Sequence, residues 1–271
     1  MSETGAVSVA RRGADWRVAY LHRPGDGEGE SLLYFHGLGG RKEDFRGAWD
    51  VGDWDGHALT AFDAPGCGAA GEYREGVPLG VDDIVAAAEA LVAHLGLERL
   101  TVVGHSLGGT AGLLFTLRHP ATVRRFVSVE GNLGPEDCSL YSRGIFQERF
   151  LGREETYMEA LVAEMRASGA PGLAEAAGEL RRNVRDAAFF DYCRSLVGYS
   201  DHAPLLEDFA ALALPRLYVY GERNAHLTHI PRLESRGVRV RSVPGSDHFP
   251  MVSNPGAYYR VLADFILETE A

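Results

Sequence analysis

The segment LTVVGHSLGGTAG, residues 100–112, is the feature that most restricts what this chain can fold into. A short apolar run leads into Gly104, and a helical pattern begins directly after Ser106. Glycines at 104 and 108 give the pattern G-x-S-x-G, which suits a turn too sharp and crowded for side chains on either side of the serine. The segment therefore predicts a strand, a tight corner and a helix, with Ser106 near the positive end of the helix dipole.

The rest of the chain alternates short apolar runs with longer helical ones. This alternation is typical of an α/β fold with a mostly parallel sheet and helices on its faces. Eight strands are predicted, at 6–10, 17–22, 32–35, 58–62, 100–103, 126–129, 216–220 and 238–243. The first two fit an antiparallel hairpin at one edge of the sheet. Core helices are predicted at 81–95, 107–118 and 255–267.

One long segment departs from the alternation. Between residues 133 and 203 the sequence shows no good strand but several helical patterns, such as EETYMEALVAEMRASG. About 70 residues between two core strands is too long for a simple loop. We expect a helical cap at 133–203, inserted into a core domain built from 1–132 and 204–271.

Composition restricts which partners the protein is expected to bind and where in the cell it is expected to be. The 27 Lys and Arg residues against 38 Asp and Glu residues give a formal charge of −11, which argues against nucleic acid or an anionic membrane surface as a partner. The three cysteines, Cys67, Cys138 and Cys193, lack disulfide or metal-site spacing, so reduced thiols are expected. No signal-like or membrane-spanning apolar run is present in the sequence. These features favour a soluble, cytoplasmic protein.

Two further segments fit chemistry at Ser106. The run LLYFHGLGG, residues 32–40, ends a strand in a glycine-rich loop that can present a backbone N–H group toward the serine. Leu38 is the candidate donor there, and Leu107 supplies the second N–H of an oxyanion hole. The loop VPGSDHFPMVSNP, residues 243–255, follows the last strand and carries His248, the candidate general base.

Together these motifs resemble the α/β-hydrolase fold family over nearly the whole chain. The resemblance rests on the G-x-S-x-G corner, the H-G-x-G-type loop, the turn DAPGCG at 63–68, the inserted cap and the late histidine. It implies an eight-stranded, mostly parallel sheet and a serine nucleophile. Asp63 is interpreted as a turn and packing residue.

The third catalytic residue is not where the resemblance places it. The family's acid usually follows the strand after the cap, and the matching position here is Asn224. Replacing a triad aspartate by asparagine can cost about 10⁴-fold in kcat. Either the enzyme is damaged or non-catalytic, or the carboxylate comes from elsewhere. Glu130 is the preferred candidate; Glu222 and Asp247 are weaker ones.

Glu130 ends the strand of RRFVSVEGNL, residues 124–133. The haloalkane dehalogenases are similar in carrying their acid on this earlier strand, although their nucleophile is an aspartate. We expect Glu130→Gln to lower turnover by orders of magnitude, a loss that Asn224→Ala should not cause.

The resulting prediction is a serine hydrolase without metal or organic cofactor. It would cleave a small to mid-sized, partly apolar ester, thioester, lactone or amide through Ser106, His248 and Glu130. Alternatives on the same fold are an acyl transferase or cyclase, a cofactor-free dioxygenase-like enzyme and a low-turnover binding protein. Five cap arginines could meet a carboxylate on the substrate: Arg143, Arg149, Arg153, Arg181 and Arg182.

Overall fold

The computed structural model describes residues 3–26, 30–50, 54, 56–68, 76–138 and 141–269. Its centre is an eight-stranded sheet. In chain order the strands are β1 (Glu3–Arg11), β2 (Ala14–Arg23), β3 (Ser31–Phe35), β4 (Ala58–Phe62), β5 (Leu100–His105), β6 (Val123–Val129), β7 (Arg216–Gly221) and β8 (Arg239–Val243). All eight predicted strands are present. Strands β3, β5, β6 and β7 are one to three residues longer than predicted, β1 and β2 are each four residues longer, β4 agrees with its predicted bounds, and β8 is one residue shorter.

The spatial order of the sheet is β1-β2-β4-β3-β5-β6-β7-β8. Strands β3 to β8 run parallel to one another, whereas β2 runs antiparallel to its two neighbours, β1 and β4. Since parallel strands end at one edge of a sheet, the loops after β3, β5, β6, β7 and β8 meet at that edge. The predicted α/β-hydrolase fold is confirmed.

Helices cover both faces of the sheet. They are α1 (Val81–Leu95), α2 (Leu107–Arg118), α3 (Glu154–Ala167), α4 (Pro171–Asn183), α5 (Asp186–His202), α6 (Leu205–Ala211), α7 (His229–Glu234), α8 (Pro250–Ser253) and α9 (Pro255–Thr269). The predicted bounds of α1 and α2 agree with the structure, and α9 runs two residues past its predicted end. No helix among the described residues is long and apolar enough to cross a bilayer.

The core is divided by the sheet into two clusters. Successive side chains of a strand point to opposite faces, so Val102 packs into one cluster and Val103 into the other. The first cluster contains the apolar faces of α1 and α2, and the second contains that of α9.

The segment between β6 and β7 contains only helical elements in its described part, which omits residues 139–140. Helices α3, α4 and α5 follow three short 3-10 turns. Val184, between α4 and α5, is extended and forms an isolated bridge with Cys67 in the turn after β4. This segment therefore touches the end of the sheet where the loops meet. Its division from the rest of the chain as a separate cap stays a prediction.

Candidate active site

Ser106 occupies a strained corner between β5 and α2. Its backbone angles, φ 52° and ψ −121°, lie in a region that residues with side chains rarely adopt, at a cost of about 1–3 kcal/mol. A Cβ atom at Gly104 would lie 2.2 Å from the Gly108 oxygen, and one at Gly108 would lie 2.3 Å from the Phe35 oxygen. The two glycines are thus required by close backbone approach. The corner leaves Ser106 8% exposed.

The glycine-rich loop after β3 lies beside this corner. A Cβ atom at Gly37 would be 3.3 Å from Ser106 Cβ, so Leu38 follows a residue that nearly touches the serine. Leu107 is the first residue of α2, where backbone N–H groups lack helical partners. Within the described residues, neither the Leu38 N–H nor the Leu107 N–H donates to a protein acceptor. Both candidate oxyanion donors are therefore available at the corner.

Two buried side chains attach this loop to the loop after β4. His36 Nε2 accepts a hydrogen bond from the Ala64 N–H at 2.9 Å, which leaves its Nδ1–H to donate to the Gly37 oxygen at 2.8 Å. Lys42 donates to Asp63 through both its backbone N–H and its Nζ, each at 2.8 Å. Burial acts to lower the pKa of Lys42, but hydrogen bonds to Asp63 and Glu43 outweigh it and raise that pKa. His36 and Asp63 thus fix the loop that carries Leu38.

His248 and Glu130 are joined by a short hydrogen bond. The Nδ1–H of His248 donates to Glu130 Oε2 at 2.7 Å. The Glu130 side chain is 3% exposed and that of His248 is 12% exposed. Glu130 follows the last residue of β6 in a left-handed conformation with φ 46°. A carboxylate from the earlier strand therefore reaches the ring nitrogen of the late histidine.

Two groups from the end of β7 also hold the Glu130 carboxylate. The Gly221 N–H donates to Oε1 at 2.8 Å. The Asn224 amide lies 3.0 Å from Oε1 and 2.8 Å from Oε2, and a carboxylate only accepts, so its NH₂ group is the donor. Asn224, at the position where the family resemblance places the acid, thus binds the Glu130 carboxylate.

A second histidine links the serine corner to the His248 loop. The Nε2–H of His105 donates to the His248 carbonyl oxygen at 2.8 Å, and the two ring centroids are 4.9 Å apart. Burial, followed by the nearby His248, lowers the pKa of His105 well below its usual value. His105 is therefore a neutral structural donor. Among the described residues, Ser106 Oγ and His248 form no hydrogen bond in this state; such catalytic bonds often tighten only when substrate binds.

A cavity of about 340 Å³ opens beside the loops that carry these residues, although Ser106, His248 and Glu130 themselves do not line it. Its size lies within the range of small-molecule sites. It is bounded by Leu38 of the glycine-rich loop and by Phe249, the neighbour of His248. Further apolar lining comes from the segment between β6 and β7, namely Tyr141, Leu161, Met165, Leu180 and Phe189. The Tyr141 ring centroid is 6.2 Å from that of His248, so this lining reaches the candidate base.

Helix α4 contacts both loops that flank the cavity. At its N-terminus the Gly172 N–H donates to Asp247 Oδ2 at 2.8 Å, while Asp247 Oδ1 accepts from the Phe249 N–H at 2.9 Å. Near its C-terminus, Leu180 packs so close to Gly39 that a Cβ there would lie 2.1 Å from Leu180 Cδ1. The Asp247 carboxylate thus caps α4 and is turned away from the ring of His248.

The structure brings together the sequence-predicted residues Ser106, His248, Glu130, Leu38 and Leu107 at one edge of the sheet. Their catalytic roles stay predictions. Of the two weaker acid candidates, Asp247 caps α4, and Glu222 accepts a hydrogen bond from the Gly245 N–H at 2.8 Å.

Sequence reasoning missed the hydrogen bonds from Asn224 to Glu130. The sequence did contain a signal for this contact, because Asn224 is a hydrogen-bond donor at a position where a carboxylate was expected. It also missed that Lys42 is the ion-pair partner of Asp63; a lysine soon after the glycine-rich loop gives no such signal by itself.

Known proteins were compared with the chain in sequence and in structure. A family model described as the alpha/beta hydrolase fold matches residues 30–160. A protein of Mycoplasma pneumoniae, provisionally named a proline iminopeptidase, is 31% identical over 143 residues, which are 53% of this chain and 40% of that protein. A non-heme haloperoxidase of Rhodococcus erythropolis is 24% identical over 269 residues, covering 88% of this chain and 97% of the relative.

A carboxylesterase structure from Nitrososphaera gargenis superposes with a TM-score of 0.76 at 16% identity. The superposition covers 97% of this chain and 98% of the esterase chain. At 16% identity, this similarity is evidence for the fold alone. The match over residues 30–160 and the likeness in fold over almost the entire chain agree, and this chain has the α/β-hydrolase fold.

Proposed function

We propose that this chain is a serine hydrolase that cleaves a small to mid-sized acyl substrate through an acyl-enzyme. The observation that carries the proposal is the hydrogen bond of 2.7 Å between His248 Nδ1 and Glu130 Oε2, beside a serine held at a strained corner. An acid–histidine pair next to a serine supplies both a general base and its orienting anion. The match to the alpha/beta hydrolase family model and a relative provisionally named a proline iminopeptidase support hydrolysis as the reaction class.

In the proposed first step, Nε2 of His248 removes the Oγ proton of Ser106 while Oγ bonds to the substrate carbonyl carbon. The Leu38 and Leu107 N–H groups stabilise the oxyanion that forms, and each such donor is worth about 10²–10³ in rate. The imidazolium gives its proton to the leaving group as the bond to that group breaks. Glu130 stabilises the imidazolium throughout.

In the second step, His248 removes a proton from water, whose oxygen attacks the acyl-enzyme carbonyl. The tetrahedral intermediate then collapses, the bond to Ser106 Oγ breaks, and the proton returns to Oγ. This releases the acid and restores the free serine. Ester, thioester, lactone and amide substrates share both steps.

The cavity next to His248 supports a partly apolar acyl group. The cavity is lined by Leu38, a proposed oxyanion donor, and by Phe249, which directly follows the proposed base in the sequence. The aromatic and aliphatic lining favours apolar groups, because burying such surface stabilises by about 25 cal/mol per Å².

A fluorophosphonate probe tests the proposal directly. Its phosphorus bonds to an activated serine oxygen as fluoride leaves, and intact mass counts the adducts. We expect one adduct on the wild type, none on Ser106→Ala, and labelling slowed by about 10³–10⁴-fold in Glu130→Gln. Glu136→Gln, the same substitution at an exposed glutamate six residues away, is the matched control and should label like the wild type.

Absence of wild-type labelling would overturn the proposal. Equal labelling of Glu130→Gln and Glu136→Gln would overturn the role of Glu130. Normal turnover of Ser106→Ala would favour the dioxygenase-like alternative, in which the serine only assists.

A further inference from the structure

We infer that Asn224 is a positioning residue that holds the Glu130 carboxylate in line with His248. The inference rests on the proposed function for its activity readouts. It goes beyond the proposed triad, because it assigns a role to Asn224, which occupies the position where the family resemblance places the acid.

The first argument is that Glu130 needs to be held. A glutamate has one more rotatable bond than an aspartate, so fixing its carboxylate costs more side-chain entropy. Its backbone is already in the left-handed region, with φ 46°. A base is efficiently oriented only when the acid is fixed by neighbours of its own.

The second argument is the arrangement of donors around the carboxylate. Oε1 accepts from the Gly221 N–H at 2.8 Å and from Asn224 at 3.0 Å. Oε2 accepts from His248 at 2.7 Å and from Asn224 at 2.8 Å. Asn224 is the only one of these three residues that touches both oxygens, so its amide fixes the rotation of the carboxylate about its last bond.

The third argument is electrostatic. Hydrogen bonds to an ionised carboxylate favour the charged form, whereas a second carboxylate at position 224 would disfavour it. An asparagine is close in shape to aspartate and donates without adding charge. It can therefore occupy the usual acid position and stabilise a single anion that serves His248.

A double-mutant cycle separates this role from a structural one. We expect Asn224→Ala to lower kcat for p-nitrophenyl butyrate by about tenfold or more with little change in KM, because hydrogen bonds to charged groups are among the stronger ones. His226→Ala, an exposed position in the same turn, is the control and should match the wild type. In a Glu130→Gln background, Asn224→Ala should add little further loss, because the inferred role acts through the Glu130 carboxylate.

The pH profile supplies a second readout. Without Asn224, the negative charge of Glu130 is shared with fewer hydrogen-bond donors and stabilises the His248 imidazolium more strongly. The acidic limb of kcat/KM should therefore move to higher pH. The other titratable groups near the pair, His105, Tyr141, Tyr218 and Asp247, are the same in every variant.

The ionisation of His248 followed by ¹⁵N NMR keeps the inference testable without turnover. If the wild type neither labels nor turns over, the proposed function fails, while a His248 titration that moves upward in Asn224→Ala still supports the inference. An unchanged titration, or full additivity of Asn224→Ala with Glu130→Gln, would overturn it.

Discussion

At the residue scale, two buried carboxylates, those of Glu130 and Asp63, are each satisfied by several donors. Glu130 has three donor residues around one carboxylate, and Asp63 has the backbone and the ammonium of Lys42. Both carboxylates lie next to the loops that hold the candidate catalytic groups. An ion left unpaired in the interior would cost several kcal/mol in desolvation. Removing one partner of either buried pair should therefore destabilise the protein.

The pair of Lys42 and Asp63 can be tested on its own. Asp63 is fully buried and the Lys42 side chain is 4% exposed, so Asp63→Asn leaves an ammonium in the interior without its main partner. We expect the free energy of unfolding to fall by about 3–5 kcal/mol, measured by urea denaturation. Glu89→Gln, which removes the partner of His119 in an exposed pair, should cost at most about 1 kcal/mol. Equal losses in the two variants would refute the argument.

At the element scale, α4 connects the proposed oxyanion loop to the proposed base. Its first turn is capped by Asp247, next to His248, and its last turn packs Leu180 on Gly39. The order of α4 is therefore coupled to both loops.

Hydrogen exchange tests the coupling at its Asp247 end. We expect Asp247→Ala to speed amide exchange throughout α4, because the Gly172 N–H loses its acceptor and the helix loses a favourable charge at its N-terminus. Exchange in α9, on the other side of the sheet, should not change. Glu159→Ala on the exposed face of α3 is the control. Unchanged exchange in α4 would show that Asp247 does not hold it.

The helices and strands could be predicted from local patterns in the sequence, whereas the contacts between them could not. The strands and the helices α1 and α2 could be predicted because their apolar residues repeat at the period of a strand or a helix. The reach of Glu130 to His248 was inferred from strand order alone. By contrast, the contact of Asn224 with Glu130 depends on the turn after β7, and the orientation of Asp247 depends on where α4 begins. Neither relation leaves a periodic signal in the sequence.

At the scale of the whole molecule, acidic residues are in excess and give a formal charge of −11. The same excess of acidic residues is found in the cavity lining. Four carboxylates line it, those of Glu43, Asp44, Glu175 and Glu179, against the single guanidinium of Arg41. Burial raises the pKa of Asp44, and the carboxylates of Glu43, Glu175 and Glu179 alone still outnumber the guanidinium. None of the five cap arginines considered as carboxylate partners lines this cavity. The lining therefore disfavours an anionic substrate.

Two esters of similar length test this expectation. We expect kcat/KM for p-nitrophenyl hemisuccinate, which is anionic, to be about tenfold or more below that for neutral p-nitrophenyl pentanoate, because like charges repel in a partly buried site. The gap should narrow in the double variant Glu175→Gln/Glu179→Gln and at high salt. A preference for the anionic ester would contradict the charge argument.

The position of Glu130 also has a consequence for the order in which the site is assembled. Ser106 and Glu130 belong to one contiguous strand–helix–strand unit, β5–α2–β6, which the chain completes before the cap segment begins. His248 lies 118 residues after Glu130, beyond the final strand. A chain emerging from the ribosome would thus present the proposed nucleophile and the proposed acid early and receive the proposed base last. The proposed activity would then be silent until β8 has docked, so a partly synthesised or partly folded chain would carry a serine that cannot react.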